Sequence, residues 1–260
     1  MWPSARTLPQ FGKKISMIRP VVHTSQGMTV AGGGPITAAR LGRALARAPD
    51  LVAADGGADR LLALGVEPQA VVGDMDSISP QAKARLEGRL HEVGEQSTTD
   101  FDKVLRSVHA PFALALGFAG GRMDHGLAVM HGLARHAIAP QGGWPVLVLG
   151  PRDLAFHAPP GRTLSLALRQ GDPFSLFPLD AVQGESRGLE WPINGLNFSP
   201  AGLIGTSNRV TEGQVELRID APGMLVILPL ARLDAALSAL VPGYVAPPSA
   251  RGRSRKAPMR

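Results

Sequence analysis

Residues 52–79, VAADGGADRLLALGVEPQAVVGDMDSIS, constrain the fold more than any other part of the chain. An apolar run ends in Asp55-Gly56-Gly57. A helical segment follows and is closed by Gly65, a residue type suited to the position just past a helix end. A second apolar run, Ala70-Val71-Val72, ends in Gly73-Asp74-Met75-Asp76-Ser77. Two short buried strands joined by a helix of roughly ten residues form a strand–helix–strand unit, which implies a parallel sheet. Ligands of such sheets bind beyond the carboxyl ends of the strands. Asp55, Asp74 and Asp76 sit at two of those ends.

The flanking sequence repeats the pattern. Met28–Ala31 reads as a strand that passes through Gly32-Gly33-Gly34 into a helix. Pro35 is expected in that helix's first turn, with Ile36, Ala39, Leu41, Ala44 and Leu45 on its apolar face. Pro80 opens a helix carrying Ala82, Leu86 and Leu90, and residues 91–93 form a short strand. Thr99 with Asp102 three residues on predicts a capping box and a helix to about residue 107. Ala113–Leu116 is a strand, residues 117–122 a glycine turn, and 123 to about 136 a helix with Leu127, Met130 and Ala134 on its buried face. Val146–Leu149 is the last strand of this half.

These alternations predict an α/β fold whose N-terminal part is a three-layer domain with a mostly parallel sheet. After Gly150 the character changes. Short runs at 164–168, 174–177, 215–219 and 225–228 are punctuated by Gly171-Asp172, Asn194-Gly195, Glu212-Gly213 and Pro222-Gly223. That pattern predicts a smaller C-terminal antiparallel β-sandwich. Residues 230–240 form a last helix or strand. The expected organisation is an irregular extension over 1–27, the α/β domain over 28–152, the sandwich over 160–241 and a basic disordered tail over 242–260.

Charge excludes one class of function. The formal net charge is +6. Nine basic residues and no acids lie in the first twenty and last twenty positions, so the remaining 18 basic and 21 acidic residues leave the body at −3. A basic fold surface for nucleic acid is not indicated; weak contacts by the tail are the exception. No apolar run approaches the ~20 residues that span a bilayer, and no membrane association is expected. The absence of cysteine excludes disulfides and thiolate metal sites, so a metal must be held by oxygen or imidazole; a cytoplasmic location fits. Residues 1–49 lack acids, as transit peptides do, but Pro3, Pro9 and Pro20 spoil an amphipathic helix. A start upstream of the structural beginning, at Met17 or Met28, accounts for the extension equally well.

The chemistry gathers at strand ends. Asp74 and Asp76, two apart on a turn, can converge on one hard cation, with Asp55 and Asp100 at neighbouring ends. Magnesium takes one or two carboxylates, keeps waters and binds substrate phosphates. Carboxylates are poor direct partners for phosphate, so a metal belongs between them. Taken singly, each aspartate could instead complement a helix dipole or form a turn. A second group is Gly120-Gly121-Arg122-Met123-Asp124-His125. Its glycines allow close backbone approach, its helix N-terminus favours anions, and Arg122 can fork onto phosphate. Lys103, one turn into the helix after Asp100, can reach phosphate or stand in solvent. The residues by themselves argue for a metal–nucleotide site that handles phosphoryl groups.

Taken together, ADGGADRLLALGVEPQAVVGDMDSIS, TTDFDKVL, GFAGGRMDHGLA, SLFPL, GLEWPI and GTSNRV resemble the thiamine pyrophosphokinase family, in the family's order and over about residues 28–230. The resemblance implies pyrophosphoryl transfer from ATP to thiamine, giving thiamine diphosphate and AMP. It implies an α/β domain, a β-sandwich, and a homodimer with thiamine sites between subunits. It places Mg2+ on Asp74, Asp76 and Asp100, with Asp55 in the same catalytic cluster. It assigns nucleotide contacts to Gly56, Ser77, Thr99, Lys103, Gly121, Arg122, Asp124 and His125, and thiamine contacts to Ser207 and Asn208. One departure stands out: where many members carry an acid two residues before the Thr-Asp pair, this chain has Ser97, and Glu95 is the candidate substitute.

Three other readings compete. A haloacid-dehalogenase-type phosphatase shares a strand followed by Asp-x-Asp, but has threonine or valine where Ile78 stands and places the motif on the first strand. A nucleotide-sugar transferase would use the same Asp-x-Asp. A thiamine or nucleotide sensor would keep the fold without turnover, and Ser97 motivates that reading.

Overall fold

Six strands between residues 28 and 149 run parallel in one sheet. The computed structural model describes residues 20–95, 97–139 and 143–248. In chain order the first half consists of β1 (Val22–His23), β2 (Met28–Ala31), α1 (Ala38–Leu45), β3 (Asp50–Ala54), α2 (Gly57–Ala63), β4 (Ala70–Gly73), α3 (Pro80–Arg85), β5 (Leu90–Glu92), α4 (Asp100–Ser107), β6 (Val108–His109), β7 (Ala113–Leu116), α5 (Met123–Ala137) and β8 (Val146–Leu149). The second half adds β9 (Asp153–His157), β10 (Thr163–Ala167), β11 (Pro173–Pro178), β12 (Gly184–Arg187), β13 (Gly205–Arg209), β14 (Gln214–Ile219), β15 (Met224–Pro229), a 3-10 turn (Leu230–Arg232) and α6 (Leu233–Leu240).

Strand order marks where the parallel part of the sheet opens a crevice. The large sheet runs β13-β11-β15-β9-β8-β7-β2-β3-β4-β5. From β2 the chain steps outward through β3, β4 and β5, then returns to β7 on the other side of β2. The β2/β7 boundary is therefore the switch point of the parallel part, where such sheets open a crevice. The loops after these strands meet there, and Gly34 N–H donates to the Gly117 carbonyl at 2.9 Å.

Alternation along each strand divides the core in two. Ala31, Ala53, Val71, Leu114, Leu116, Leu147 and Leu149 face a cluster with Leu41, Ala44, Leu61, Ala82 and Leu86 from α1, α2 and the end of α3. Met28, Val30, Val52, Ala54, Val72, Ala113 and Ala115 face Phe101, Val104, Leu105, Val129 and Leu133 from α4 and α5. A period of two on each strand puts neighbouring residues on opposite faces. Strands covered on both faces read as continuous apolar runs, as these do.

The mixed α/β architecture with an antiparallel second half stands as expected. The main sheet continues into that half: β9 pairs antiparallel with β8, and β15 with β9. The three-stranded sheet β10-β14-β12 supplies the other layer. Its inward residues Leu164, Leu166, Val215, Leu217 and Ile219 join the same buried cluster as Phe174, Leu176 and Met224 from the large sheet. The two halves are also pinned by charge. Arg47 grips Asp234 with two hydrogen bonds of 2.6 and 2.7 Å, and the Tyr244 hydroxyl donates to the same carboxylate at 2.8 Å.

Several local expectations are corrected. The first helix begins at Ala38, with the Thr37 hydroxyl accepting from Arg40 N–H at 3.3 Å, so Pro35 precedes the cap. The helix after Pro80 ends before Leu86, and Leu90 begins β5. On α5 the buried residues are Val129, Gly132 and Leu133, whereas Leu127 is 66% exposed and Met130 and Ala134 are half-buried. Within the stretch expected to be irregular, Val22–His23 pairs in parallel with Val108–His109, upstream of Met28. Tyr244, placed in the expected tail, packs edge-on against Phe112. Residues 1–19 and 249–260 lie outside the described residues.

Candidate active site

Asp55, Asp74 and Asp76 lie just after the carboxyl ends of two parallel strands, and Asp100 begins the helix α4. Asp55 follows β3. Its N–H still donates to the Val72 carbonyl at 3.0 Å, which keeps it in the ladder. Its φ is +40°, an uncommon conformation for a residue with a side chain. That twist turns the chain into α2 and leaves the Asp55 carboxylate buried, at 1% exposure. One oxygen accepts from Ser77 N–H at 3.1 Å. The other, Oδ1, is buried with no hydrogen-bond partner.

Asp74 and Asp76 flank Met75 on the turn after β4. Met75 has φ +62° and is buried, as is Ile78, so two apolar anchors hold the turn while its acids project. Gly73 permits the close approach of the two loops, because a Cβ there would fall 2.8 Å from the Asp55 Cβ. Carboxylate oxygens of Asp55, Asp74 and Asp76 come within 4.8 Å of one another. The Ser77 hydroxyl donates to Asp76 at 2.7 Å.

Asp100 begins α4 and joins this cluster through a lysine. The capping box is present: the Thr99 hydroxyl accepts from Asp102 N–H, and Asp102 accepts from Thr99 N–H, both at 3.2 Å. This fixes the first turn of α4. Lys103, one turn on, is not in solvent; it is 1% exposed. Its ammonium lies 2.6 Å from Asp74 Oδ2 and 3.1 Å from Asp100 Oδ1.

Electrostatics separates the acids. Burial raises the Asp55 pKa to about 6; the Ser77 N–H opposes the rise, and the neighbouring Asp100, Asp76 and Asp74 carboxylates add to it. The hydrogen bond from Lys103 holds the Asp74 carboxyl below its usual range. Burial alone would lower the Lys103 pKa, but Asp74 and Asp100 outweigh it and the net shift is upward. The ammonium thus stays charged inside the protein.

A buried carboxylate oxygen without a donor, beside two further carboxylates, is a set of hard oxygen ligands suited to Mg2+. The residues present fit that ion.

The glycine turn after β7 leads into α5. Gly121, Arg122, Asp124 and His125 are all exposed there. Arg122 pairs with Asp124 at 2.6 Å, and Asp124 Oδ1 accepts from His125 N–H at 2.9 Å. The Arg122 hydrogen bond holds the Asp124 pKa down to about 2. In water such a pair is weak, so the guanidinium is available to an anion. Gly56 caps α2 next to Asp55.

Ser207 and Asn208 lie on β13, at the far edge of the large sheet. Seven inter-strand steps separate β13 from β3, roughly 30 Å at normal strand spacing. One chain therefore does not bring these residues to the acid cluster. Ser207 is exposed, with φ +64°. Asn208 is buried and spends its amide locally: Oδ1 accepts from Trp191 N–H and Arg209 N–H, and Nδ2 donates to the Trp191 carbonyl at 2.7 Å. It thereby fixes Trp191, which is 54% exposed. Trp191 was not among the residues expected to bind thiamine, although it lies in the GLEWPI stretch. The signal was there: an aromatic in a turn-rich segment with no apolar periodicity to bury it.

Glu95 faces neighbours of its own. It accepts from the Ser97 hydroxyl at 2.5 Å and from Arg106 at 3.1 Å.

Two family models match the chain. Thiamin pyrophosphokinase, catalytic domain, matches residues 41–140, and thiamin pyrophosphokinase, vitamin B1 binding domain, matches 163–224. A Caenorhabditis elegans protein named thiamin pyrophosphokinase 1 is 31% identical over 185 residues, covering 64% of this chain and 74% of its own. Thiamine pyrophosphokinase 3 of Oryza sativa subsp. japonica is 26% identical over 216 residues, covering 69% and 78%. In fold, the chain is similar to thiamin pyrophosphokinase from Candida albicans, with a TM-score of 0.67, 16% identity, and 84% and 95% coverage. The Bacillus subtilis structure gives 0.63, 20% identity, and 78% and 98% coverage.

Proposed function

The chain belongs to the thiamin pyrophosphokinase family, and from that premise we propose that it makes thiamine diphosphate and AMP from thiamine and ATP at the acidic strand ends, with Mg2+ as its cofactor. The observation that carries the site is the convergence of Asp55, Asp74 and Asp76 within 4.8 Å around a buried, unpartnered oxygen.

In this reading Asp74 and Asp76 hold the cation, with Asp55 and the free oxygen of Asp100 beside them. Bound there, Mg2+ offsets the charge that builds towards the leaving group. The thiamine hydroxyl oxygen forms a bond to the β-phosphorus, and the bond from that phosphorus to the oxygen bridging to the α-phosphate breaks. AMP leaves with that oxygen, and the hydroxyl proton passes to a carboxylate of the cluster. Such transfers need in-line positioning and charge neutralisation more than covalent help. Arg122 and the amides after Gly121 bind nucleotide phosphate, with Asp124 and His125 orienting them. Ser77 positions Asp55 and Asp76 by its hydrogen bonds, Thr99 caps the helix that carries Asp100, and Gly56 lets α2 start against them.

The roughly 30 Å between Ser207 and the acids within one chain supports a homodimer in which thiamine lies between subunits. Trp191 and Ser207 would then belong to the partner's site, with Asn208 holding Trp191 in place. Exposed Met123 and Leu127 on α5, and Leu203 and Ile204 near β13, offer apolar surface for that contact. Among the described residues no helix is long and apolar enough to cross a membrane. A cytoplasmic location, which the lack of cysteine fits, is part of this proposal.

The test is AMP and thiamine diphosphate formation from ATP, Mg2+ and thiamine, for wild type beside Asp74→Asn. Equimolar products, reduced roughly 100-fold or more in kcat/KM by the variant, are expected. Products unaffected by the variant would keep the activity and overturn the site. Thiamine binding without product would favour the sensor.

A further inference from the structure

We propose that the buried ammonium of Lys103 is the second cation of the active site, so that each site takes one divalent metal ion rather than two. The inference rests on the reading that the aspartate cluster holds the catalytic metal.

Four carboxylates gather at the ends of β3 and β4 and the start of α4. Four acids in so small a space are enough to hold two metal ions, as paired-metal phosphoryl-transfer sites do at separations of about 4 Å. A second ion drawing on Asp100, which lies outside the 4.8 Å group, would bridge it to Asp74. Lys103 Nζ stands between those two, at 2.6 Å from Asp74 Oδ2 and 3.1 Å from Asp100 Oδ1. A metal ligated by the same oxygens would need to sit about 2.1 Å from each, in space the ammonium fills.

The lysine is not a surface group that could swing away. Its side chain is 2% exposed, and its helix neighbours Phe101 and Val104 are buried as well. Its charge is maintained there by the two carboxylates. Each oxygen it engages spends one lone pair on it. One oxygen on each carboxylate, Asp74 Oδ1 and Asp100 Oδ2, remains for a single ion shared with Asp55 and Asp76. The ammonium orients these ligands as hydrogen-bonded partners of metal-binding carboxylates do.

The nearby acids that could complete a second metal sphere are occupied. Glu95 is held by Arg106 and Ser97. Asp102 closes the capping box with Thr99. Asp59 accepts from Ser79 N–H at 2.9 Å and from its hydroxyl. Ser97 brings a hydroxyl, not a carboxylate, to the loop before α4.

The experiment titrates the metal-free full chain with Mn2+ alone. Calorimetry and the electron paramagnetic resonance of free Mn2+ give the stoichiometry, and AMP formation is measured in parallel. Wild type is expected to bind one Mn2+ per chain. Lys103→Met, which keeps the stem and removes the charge, is expected to bind two, with kcat lowered at least 10-fold and partly restored by excess metal. If that variant does not fold, Lys103→Gln carries the same expectation. Two ions per wild-type chain, or one ion with unchanged affinity in a folded neutral variant, overturns the proposal. Active wild type with no Mn2+ bound in the absence of nucleotide overturns the cluster reading itself, which separates the two failures.

Discussion

Replacing Gly57 by alanine tests whether close packing under the acidic edge sets the geometry of the site. Gly57 is the first residue of α2 and lies two residues after Asp55. An alanine Cβ there would fall 2.1 Å from the carbonyl oxygen of Ala31 and 2.8 Å from its carbonyl carbon. Both are backbone atoms of β2, a central strand, and cannot turn aside. Ordinary contact needs about 1 Å more, and the start of α2 must supply it by moving away from the sheet. Overpacking of this kind costs about 1–3 kcal/mol, less the ~1 kcal/mol that alanine gains over glycine in a helix. The larger effect is on chemistry. Asp55 is tied to the displaced turn, and a misplacement of about 1 Å costs on the order of 100-fold in rate. The assay is urea unfolding beside steady-state AMP formation. Gly42→Ala is the control, since nothing lies within 4 Å of a Cβ at that α1 position; it should stabilise by about 0.5–1 kcal/mol and leave kcat unchanged. Wild-type stability and kcat in Gly57→Ala would refute the reasoning.

Acid should destabilise the protein through His157, whose burial pushes its pKa down to about 4 while Nε2 accepts from Gly223 N–H at 2.7 Å. Because the folded value lies below the unfolded one, this contribution is present above about pH 6.5 and lost as pH falls towards 4. Wild type should lose about 2 kcal/mol more than His157→Gln between pH 7 and 4.5, and parallel urea-denaturation profiles would contradict this. Trp191→Ala should raise KM for thiamine about 10-fold, the scale of a cation–π contact with the thiazolium, while the melting temperature hardly moves because the ring is half exposed; an unchanged KM would remove Trp191 from the site.

Local sequence determined much of this protein. Asp-Gly-Gly after one apolar run and Gly-Asp-Met-Asp after another mark strand ends because apolar strands must stop where polar backbone turns outward. Thr99 and Asp102 announced their capping box because its hydrogen bonds join residues three apart. The strands at 28–31, 113–116 and 146–149 were legible as continuous apolar runs because both faces are covered. The strands β9, β12 and β13 were not, because Asp153–His157 carries its apolar residues in an ambiguous order and GESR and GTSNR have almost none. Their strand state comes from pairing with distant segments, which no local pattern encodes. Leu127 and Met130 fit a helical stripe, yet the sheet meets α5 through Val129 and Leu133; the direction of packing chose among apolar residues of equal claim. Lys103 is the sharpest case. Its spacing from Asp100 placed it one turn along a helix, where solvent is the usual destination. Only the fold of β4 beside α4 brought Asp74, distant in sequence, close enough to keep an ammonium charged in the interior.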